Sequence, residues 1–290
     1  MKNLKIINSD QLKDWAKKRQ RAFTKEAREI ELPEPKGILV FGVPGTGKSL
    51  ISKAISGLWR RPILRFDIGR IFGSFVGESE KNMREALRTA EEIAPCILWI
   101  DELDKAFAGI RGQQGDSGTS ARVFGSLLTW MQEKTKPVFI VATANNVVRF
   151  LGKGKNKIQE TLLPPELLRK GRFDELFFLD LPTIDERREI FEIMSRKYNL
   201  ADGIDFDLLA ERSGGMVSGT NDLGYGGAEI EQIVIEAMYQ AFYDKERDVN
   251  TDDIVQSMNQ TKPLYDLMKD DIDNLREWAR GRTRPASKKE

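Results

Sequence analysis

Gly42, Gly47, Lys48 and Ser49, in the run GVPGTGKS, fall at the spacing G-x-x-x-x-G-K-[ST], the pattern of a loop that curls backbone N–H groups around a polyanion. A helix starting near Ser49 adds the positive end of its dipole to that cradle. A lysine at 48 suits β- and γ-phosphates, and the Ser49 hydroxyl suits a Mg²⁺ ion. Downstream, the run CILWIDELDKAF ends four apolar residues, Ile97 to Ile100, in Asp101 and Glu102. The first carboxylate is suited to the Mg²⁺ shell and the second to positioning and deprotonating a water. Together these residue types suit transfer of a phosphoryl group to water.

Such residues need a rigid frame. Short apolar runs recur at 37–42, 62–68, 96–101, 137–144 and 175–182. Helical stretches separate most of them. Met83, Leu87, Ala90 and Ala94 share one helical spacing, and Val123, Leu127, Trp130 and Met131 share another. Near-continuous apolar strands alternating with helices predict an α/β domain over 1–182, with a five-stranded parallel sheet covered on both faces. After Pro182 the pattern turns all-helical. Thr183 with Glu186 predicts a capping box at the start of IDERREIFEIMSRKY, and further helices are expected at about 205–212, 227–243, 251–259 and 263–280. A smaller helical domain over 183–280 follows from this, with 281–290, RTRPASKKE after Gly281, expected to be a basic disordered tail.

Bulk properties narrow the chemistry. The chain has 290 residues, 46 Lys plus Arg against 45 Asp plus Glu, and a formal net charge of +1, so no overall basic field draws in nucleic acid or an anionic membrane. There is no histidine, which excludes histidine bases, triads and metal sites. The single cysteine, Cys96, lies in an apolar run and suits a buried thiol in a reducing compartment. No signal-like or membrane-spanning segment is read at the start, so a cytoplasmic setting, or the stroma of a plastid, is expected.

GVPGTGKS, IDELDKAF, VATANN and LLRKGRFDE in this order resemble an AAA-type ATPase. From about Leu12 onward, nearly the whole chain is similar to the AAA proteins encoded as hypothetical open reading frames in algal chloroplasts and cyanobacteria, the Ycf family. That resemblance implies a P-loop NTPase core followed by a helical lid, and Mg²⁺-dependent hydrolysis of ATP in a homo-oligomeric ring, a hexamer. It implies nucleotide contacts from Val43, Pro44, Gly45, Thr46, Gly47, Lys48, Ser49, Leu50, Asp101, Gly227 and Ala228, with Ser49 and Asp101 at the metal. Asn145 resembles the polar sensor that orients the attacking water against the γ-phosphate. Arg169 and Arg172 resemble arginine fingers presented to a neighbouring subunit, where a planar guanidinium can stabilise charge on the phosphoryl oxygens. Ala228 occupies a position where some related ATPases carry arginine, so no second sensor in cis is expected. A further region precedes the ATPase domain in that family, and this chain is expected to lack it. A basic insertion, VVRFLGKGKNKIQETLL, also sets it apart.

Phe75 and Val76, between Gly73 and Gly77, match the family's central pore loop, with Ala108–Val123 and its Arg111 as a second pore-facing loop. An aromatic side chain can wedge against any polypeptide, and flanking glycines let such a loop move. The alternative is that Phe75 packs beneath its loop as core. A remodelling or threading machine for an unidentified protein client is therefore the favoured expectation. Two others stand beside it: a nucleic-acid motor or loader using the basic stretches at 13–28, at 149–160 and in the tail, and an ATP-gated scaffold with little turnover.

Overall fold

The computed structural model describes residues 9–68, 78–105, 117–145, 147–151, 158–169, 171–214, 224–244 and 247–287. In chain order its elements begin with α1 (Asp10–Arg19), α2 (Lys25–Glu29), β1 (Gly37–Gly42), α3 (Lys48–Trp59), β2 (Ile63–Phe66), α4 (Glu78–Ile93) and β3 (Cys96–Ile100). There follow α5 (Ser117–Glu133), β4 (Val138–Ala144), β5 (Val148–Leu151), β6 (Ile158–Thr161) and β7 (Glu175–Leu179). The helices α6 (Ile184–Tyr198), α7 (Phe206–Arg212), α8 (Gly227–Tyr243), α9 (Thr251–Gln260), α10 (Leu264–Leu267) and α11 (Lys269–Ala279) precede a last short strand, β8 (Arg284–Pro285).

The main sheet runs β2-β3-β4-β1-β7-β8, all parallel. The five expected strands are all there, and β1 lies between β4 and β7 with every residue buried. Alternation along the strands assigns side chains to two faces. Ile38 and Val40 join Ile97, Phe139, Val141 and Phe177 under α1 and α3, while Leu39 and Phe41 join Leu98, Ile100 and Ile140 under α4, α5 and α11. Being buried on both faces is what a continuous apolar run in a parallel sheet requires.

Strand β8 corrects the expectation of a disordered tail from 281. Phe177 and Phe178 pair with Arg284 and Pro285, and the Ala286 N–H donates to the Phe178 carbonyl at 2.8 Å. The Ala286 carbonyl in turn accepts from Gln11 and Leu12 N–H at 2.9 and 3.1 Å. An open β7 edge and a helix N-terminus both carry unpaired backbone groups, and the tail satisfies both. Pro285 is tolerated because an edge strand can spare one donor. Residues 288–290 lie outside the described residues.

The helical region also divides differently from the expected boundary. Helices α6 to α9 share one core built on Phe191, Leu209, Ile230, Ile233, Val234 and Ile254, and α6 opens with the expected capping box, the Thr183 N–H donating to Glu186 at 2.8 Å. Helix α11 instead packs on the sheet. Its Trp278 ring meets Phe41 edge-on at 5.2 Å, and the Arg276 Nε donates to both Asp180 oxygens at 2.9 and 3.0 Å. Trp278 is buried, so Trp278→Ala is expected to cost about 3–5 kcal/mol in denaturant unfolding. A loss below about 1 kcal/mol would show that α11 is not part of the core.

The basic insertion holds a two-stranded antiparallel hairpin, β5 with β6, in which Val148 pairs with Thr161. Its lysine-rich centre, 152–157, lies outside the described residues, as do Phe75, Val76 and Arg111 of the expected pore loops.

Candidate functional site: a nucleotide cavity between sheet and helical domain

The loop between β1 and α3 carries the first motif. Gly42 has φ +151° and a Cβ there would lie 1.9 Å from the Leu179 carbonyl oxygen, so only glycine fits where β1 passes β7 into the loop. Gly47, at φ 89°, caps α3. Lys48 is buried, and its ammonium donates to the Gly42 and Val43 carbonyls at 2.9 and 2.8 Å. Burial pushes that ammonium down to about 8, against the opposing pull of Asp104, Asp101 and Glu102.

Strand β3 delivers the acids to the same end of the sheet. The Ser49 hydroxyl donates to Asp101 Oδ1 at 3.2 Å, and the Thr143 hydroxyl, from β4, donates to the same oxygen at 2.6 Å. Thr143 Oγ also accepts the Glu102 N–H at 3.0 Å. One buried threonine therefore ties both acids to the sheet. Glu102 sits at φ 51°, a left-handed conformation unusual for a residue with a Cβ. Such backbone costs of order 1–3 kcal/mol and persists where surrounding bonds over-determine it. Here the bond to Thr143 and the Lys105 N–H to the Glu102 carbonyl at 2.9 Å do so. The Glu102 carboxylate receives the Asn145 amide on Oε1 at 3.4 Å and the exposed Lys105 ammonium on Oε2 at 2.6 Å. Buried Asp104 accepts the Asn145 N–H at 3.2 Å, fixing the strand end that carries the amide.

The helical domain closes the cavity from the other side. The Ala228 N–H donates to the Gly45 carbonyl at 3.0 Å, joining the start of α8 directly to the phosphate loop. Glu229 holds the helix entry, accepting the Gly226 and Leu264 N–H groups at 2.7 and 2.6 Å, while burial raises its carboxyl above the usual range. The cleft between sheet and helical domain has a volume of about 600 Å³, large enough for a nucleotide.

Pro44, Gly45, Thr46, Gly47, Lys48, Ser49, Leu50, Asp101, Glu102, Asn145, Gly227 and Ala228 all line it. Val43 does not: its carbonyl holds Lys48, while its side chain is core beside Leu181, Tyr265 and Ile272. Arg169 and Arg172 do not line it either. Arg169 is exposed, and Arg172 donates to the Glu166 carbonyl in the segment that leads into β7. Thr143, Pro182, Ile190, Ile193, Met194 and Glu231 complete the lining without having been expected. Only Thr143 had a readable signal, a lone hydroxyl at the end of an apolar strand. Among the described residues no cluster of three or more acidic, cysteine or histidine side chains could hold a metal.

A pH dependence follows from Lys48. A phosphate beside it favours the charged ammonium, so the nucleotide complex holds its proton above the pH at which the free protein releases it. Affinity for ADP is expected to be constant below about pH 8 and then to fall by up to about tenfold per pH unit. A flat profile from about pH 7 to about pH 9.5 would contradict this environment for Lys48.

A phosphate loop at the end of β1, with paired acids at the same end of β3 on the far side of β4, defines a P-loop nucleotide-binding protein. Residues 38–181 match the ATPase family associated with various cellular activities (AAA). The uncharacterized AAA domain-containing protein ycf46 of Trieres chinensis is 48% identical over 283 residues, covering 97% of this chain and 52% of that protein. The protein of the same description from Pyropia yezoensis is 47% identical over 291 residues, covering 98% and 54%. The proteasome-activating nucleotidase of Aeropyrum pernix is 32% identical over 243 residues, covering 82% and 54%. The chain belongs to the AAA family of ATPases and spans about half the length of these curated relatives. Among the described residues no helix is long and apolar enough to cross a membrane.

Proposed function

We propose that this chain hydrolyses ATP with Mg²⁺ as part of a homo-oligomeric ring, and uses that turnover to remodel or thread a protein client. The observation that carries the hydrolytic part is the strained, doubly anchored Glu102, whose carboxylate shares one cavity with the phosphate loop, Lys48 and Asn145. The loop N–H groups and Lys48, which has a third ammonium proton beyond its two carbonyl bonds, bind the β- and γ-phosphates. Ser49 and Asp101 are hard oxygen donors 3.2 Å apart. They suit Mg²⁺, which is commonly held by one or two side chains plus substrate phosphates and there neutralises charge on the β- and γ-oxygens. Asn145 orients the water and Glu102 accepts its proton.

The ring rests on Arg169 and Arg172. Both stand outside the chain's own cavity, so their action on a γ-phosphate needs a neighbouring copy. The protein client rests on the sequence of the Phe75–Val76 loop and on similarity to a relative named as a proteasome-activating nucleotidase. The cytoplasm or a plastid stroma suits both.

A second reading, a nucleic-acid motor, draws on the meeting of two basic segments. Lys17 and Lys18 on α1 and Arg284 of the tail all act electrostatically on Asp14, so basic side chains of the two segments come near one another, interleaved with carboxylates. Turnover measured with unfolded polypeptide and with single-stranded nucleic acid separates the two. Polypeptide is expected to stimulate, with Phe75→Ala keeping basal turnover and losing the stimulation. Stimulation by nucleic acid alone, fading steeply with salt, would replace the protein client with a polyanion.

A further inference from the structure

The cavity lining is of two chemical kinds. Gly45 to Ser49, Asp101, Glu102 and Asn145 supply its polar groups, whereas Pro182, Ile190, Ile193 and Met194 supply apolar ones. One carboxylate, Glu231, also lines the wall formed by the helical domain. Residues three and four apart share a face of a helix. Gly227, Ala228 and Glu231 are so related on α8, and Ala228 is bonded to the phosphate loop through the Gly45 carbonyl. Glu231 therefore projects along the same face about one turn, roughly 5.4 Å, further from the loop.

Its carboxylate is held rather than free. The Tyr198 hydroxyl donates to Oε1 at 2.8 Å, and the Lys197 ammonium donates to the same oxygen. Those two bonds, Lys197 foremost, hold its pKa below the usual carboxylate range. The second oxygen, Oε2, has no hydrogen-bond partner among the described residues, and the side chain is 32% exposed. An anchored anion with one oxygen available accepts hydrogen bonds and repels phosphate. In a nucleotide bound by its phosphates at the loop, the nearest donors are the hydroxyls of the sugar, directly joined to the α-phosphate. The base lies beyond, where Ile190, Ile193 and Met194 offer it an apolar bed. Acidic side chains on ribose hydroxyls recur in other nucleotide sites.

We propose that Glu231 accepts the ribose hydroxyls of the bound nucleotide, so that α8 of the helical domain reads the sugar while the sheet reads the phosphates. Tyr198 and Lys197 are positioning residues that aim the carboxylate. The inference rests on the nucleotide site described above and deepens it: the substrate class becomes ribonucleotide over deoxyribonucleotide.

Equilibrium binding of ADP, 2′-deoxy-ADP, 3′-deoxy-ADP and inosine diphosphate tests this. The unaltered protein is expected to prefer ADP over at least one deoxy form by roughly tenfold, the effect of one hydrogen bond to a charged group. Glu231→Ala should bring that ratio close to one, Glu231→Gln should lower it in part, and the ratio of ADP to inosine diphosphate should stay the same. Thermal unfolding of each variant separates loss of the bond from loss of the fold, and Glu231→Gln, which keeps the Tyr198 bond, serves if the alanine variant unfolds. A sugar ratio that does not change in a folded variant overturns the inference. So does a change confined to inosine diphosphate, which would assign Glu231 to the base amine. If the unaltered protein fails to bind ADP at all, the nucleotide site itself falls, an outcome distinct from ADP binding with no preference for the sugar.

Discussion

Glu102→Gln is expected to bind ATP as the unaltered chain does while its turnover falls by about 10²–10⁴-fold, the range for removal of a general base. Glutamine preserves the length and planarity of the side chain, the left-handed backbone and the Asn145 contact, and removes the proton acceptor together with the exposed ion pair to Lys105. Binding is expected to persist because the proposed phosphate and metal contacts are the loop, Lys48 and the Ser49–Asp101 pair, none of which the substitution alters. The anchor through Thr143 gives an internal check. Glu102 N–H and Asp101 Oδ1 share that one hydroxyl, so Thr143→Val should lower turnover as well, by disturbing both acids at once. Turnover of Glu102→Gln within a few-fold of the unaltered chain would assign the base elsewhere.

The second large effect belongs to the arginines. Arg172→Ala is expected to lower turnover by about 10³-fold or more, the range for loss of an arginine finger, with ATP binding intact. A cavity residue acting in cis would give the same loss, so the informative experiment mixes variants. Arg172→Ala supplies an intact Glu102, and Glu102→Gln supplies an intact Arg172. If the finger acts between copies, the two inactive proteins recover turnover on mixing. Failure to recover, with both proteins folded and assembled, would place Arg172 in a structural role, consistent with its bond to the Glu166 carbonyl. Arg169, exposed three residues before it, is then the remaining candidate.

Much of the site was legible because its chemistry is local in sequence and its convergence is a property of parallel sheets. Gly42 to Ser49 and Asp101 with Glu102 each end an apolar strand, and parallel strands bring such ends to one edge. The apolar runs at 37–42, 96–101 and 137–144 became three of the four interior strands for the same reason, burial on both faces. What could not be read depends on long-range partners. The tail after Gly281 looks disordered because nothing local orders Arg284 and Pro285; their order comes from the open edge of β7 and the N-terminus of α1, which is 276 residues away at the Gln11 contact with Ser287. Trp278 reads as one more apolar position on a lid helix, and only packing against Phe41 assigns it to the sheet. Glu231 reads as a solvated charge, since its role depends on which face of α8 meets the cavity. Thr143 gains its importance from Asp101 and Glu102, side by side with it only across β3 and β4.

The most direct test of a hydrolytic site completed by a second copy is phosphate release from ATP and Mg²⁺, measured per chain as the concentration of the unaltered protein is raised. Turnover per chain is expected to be low in dilute protein, to climb as copies associate and then to level off, and to be about 10²–10⁴-fold lower throughout for Glu102→Gln. Turnover per chain that stays constant across the monomer–oligomer transition would contradict the shared site, and the absence of Mg²⁺-dependent release at every concentration would contradict hydrolysis by this chain.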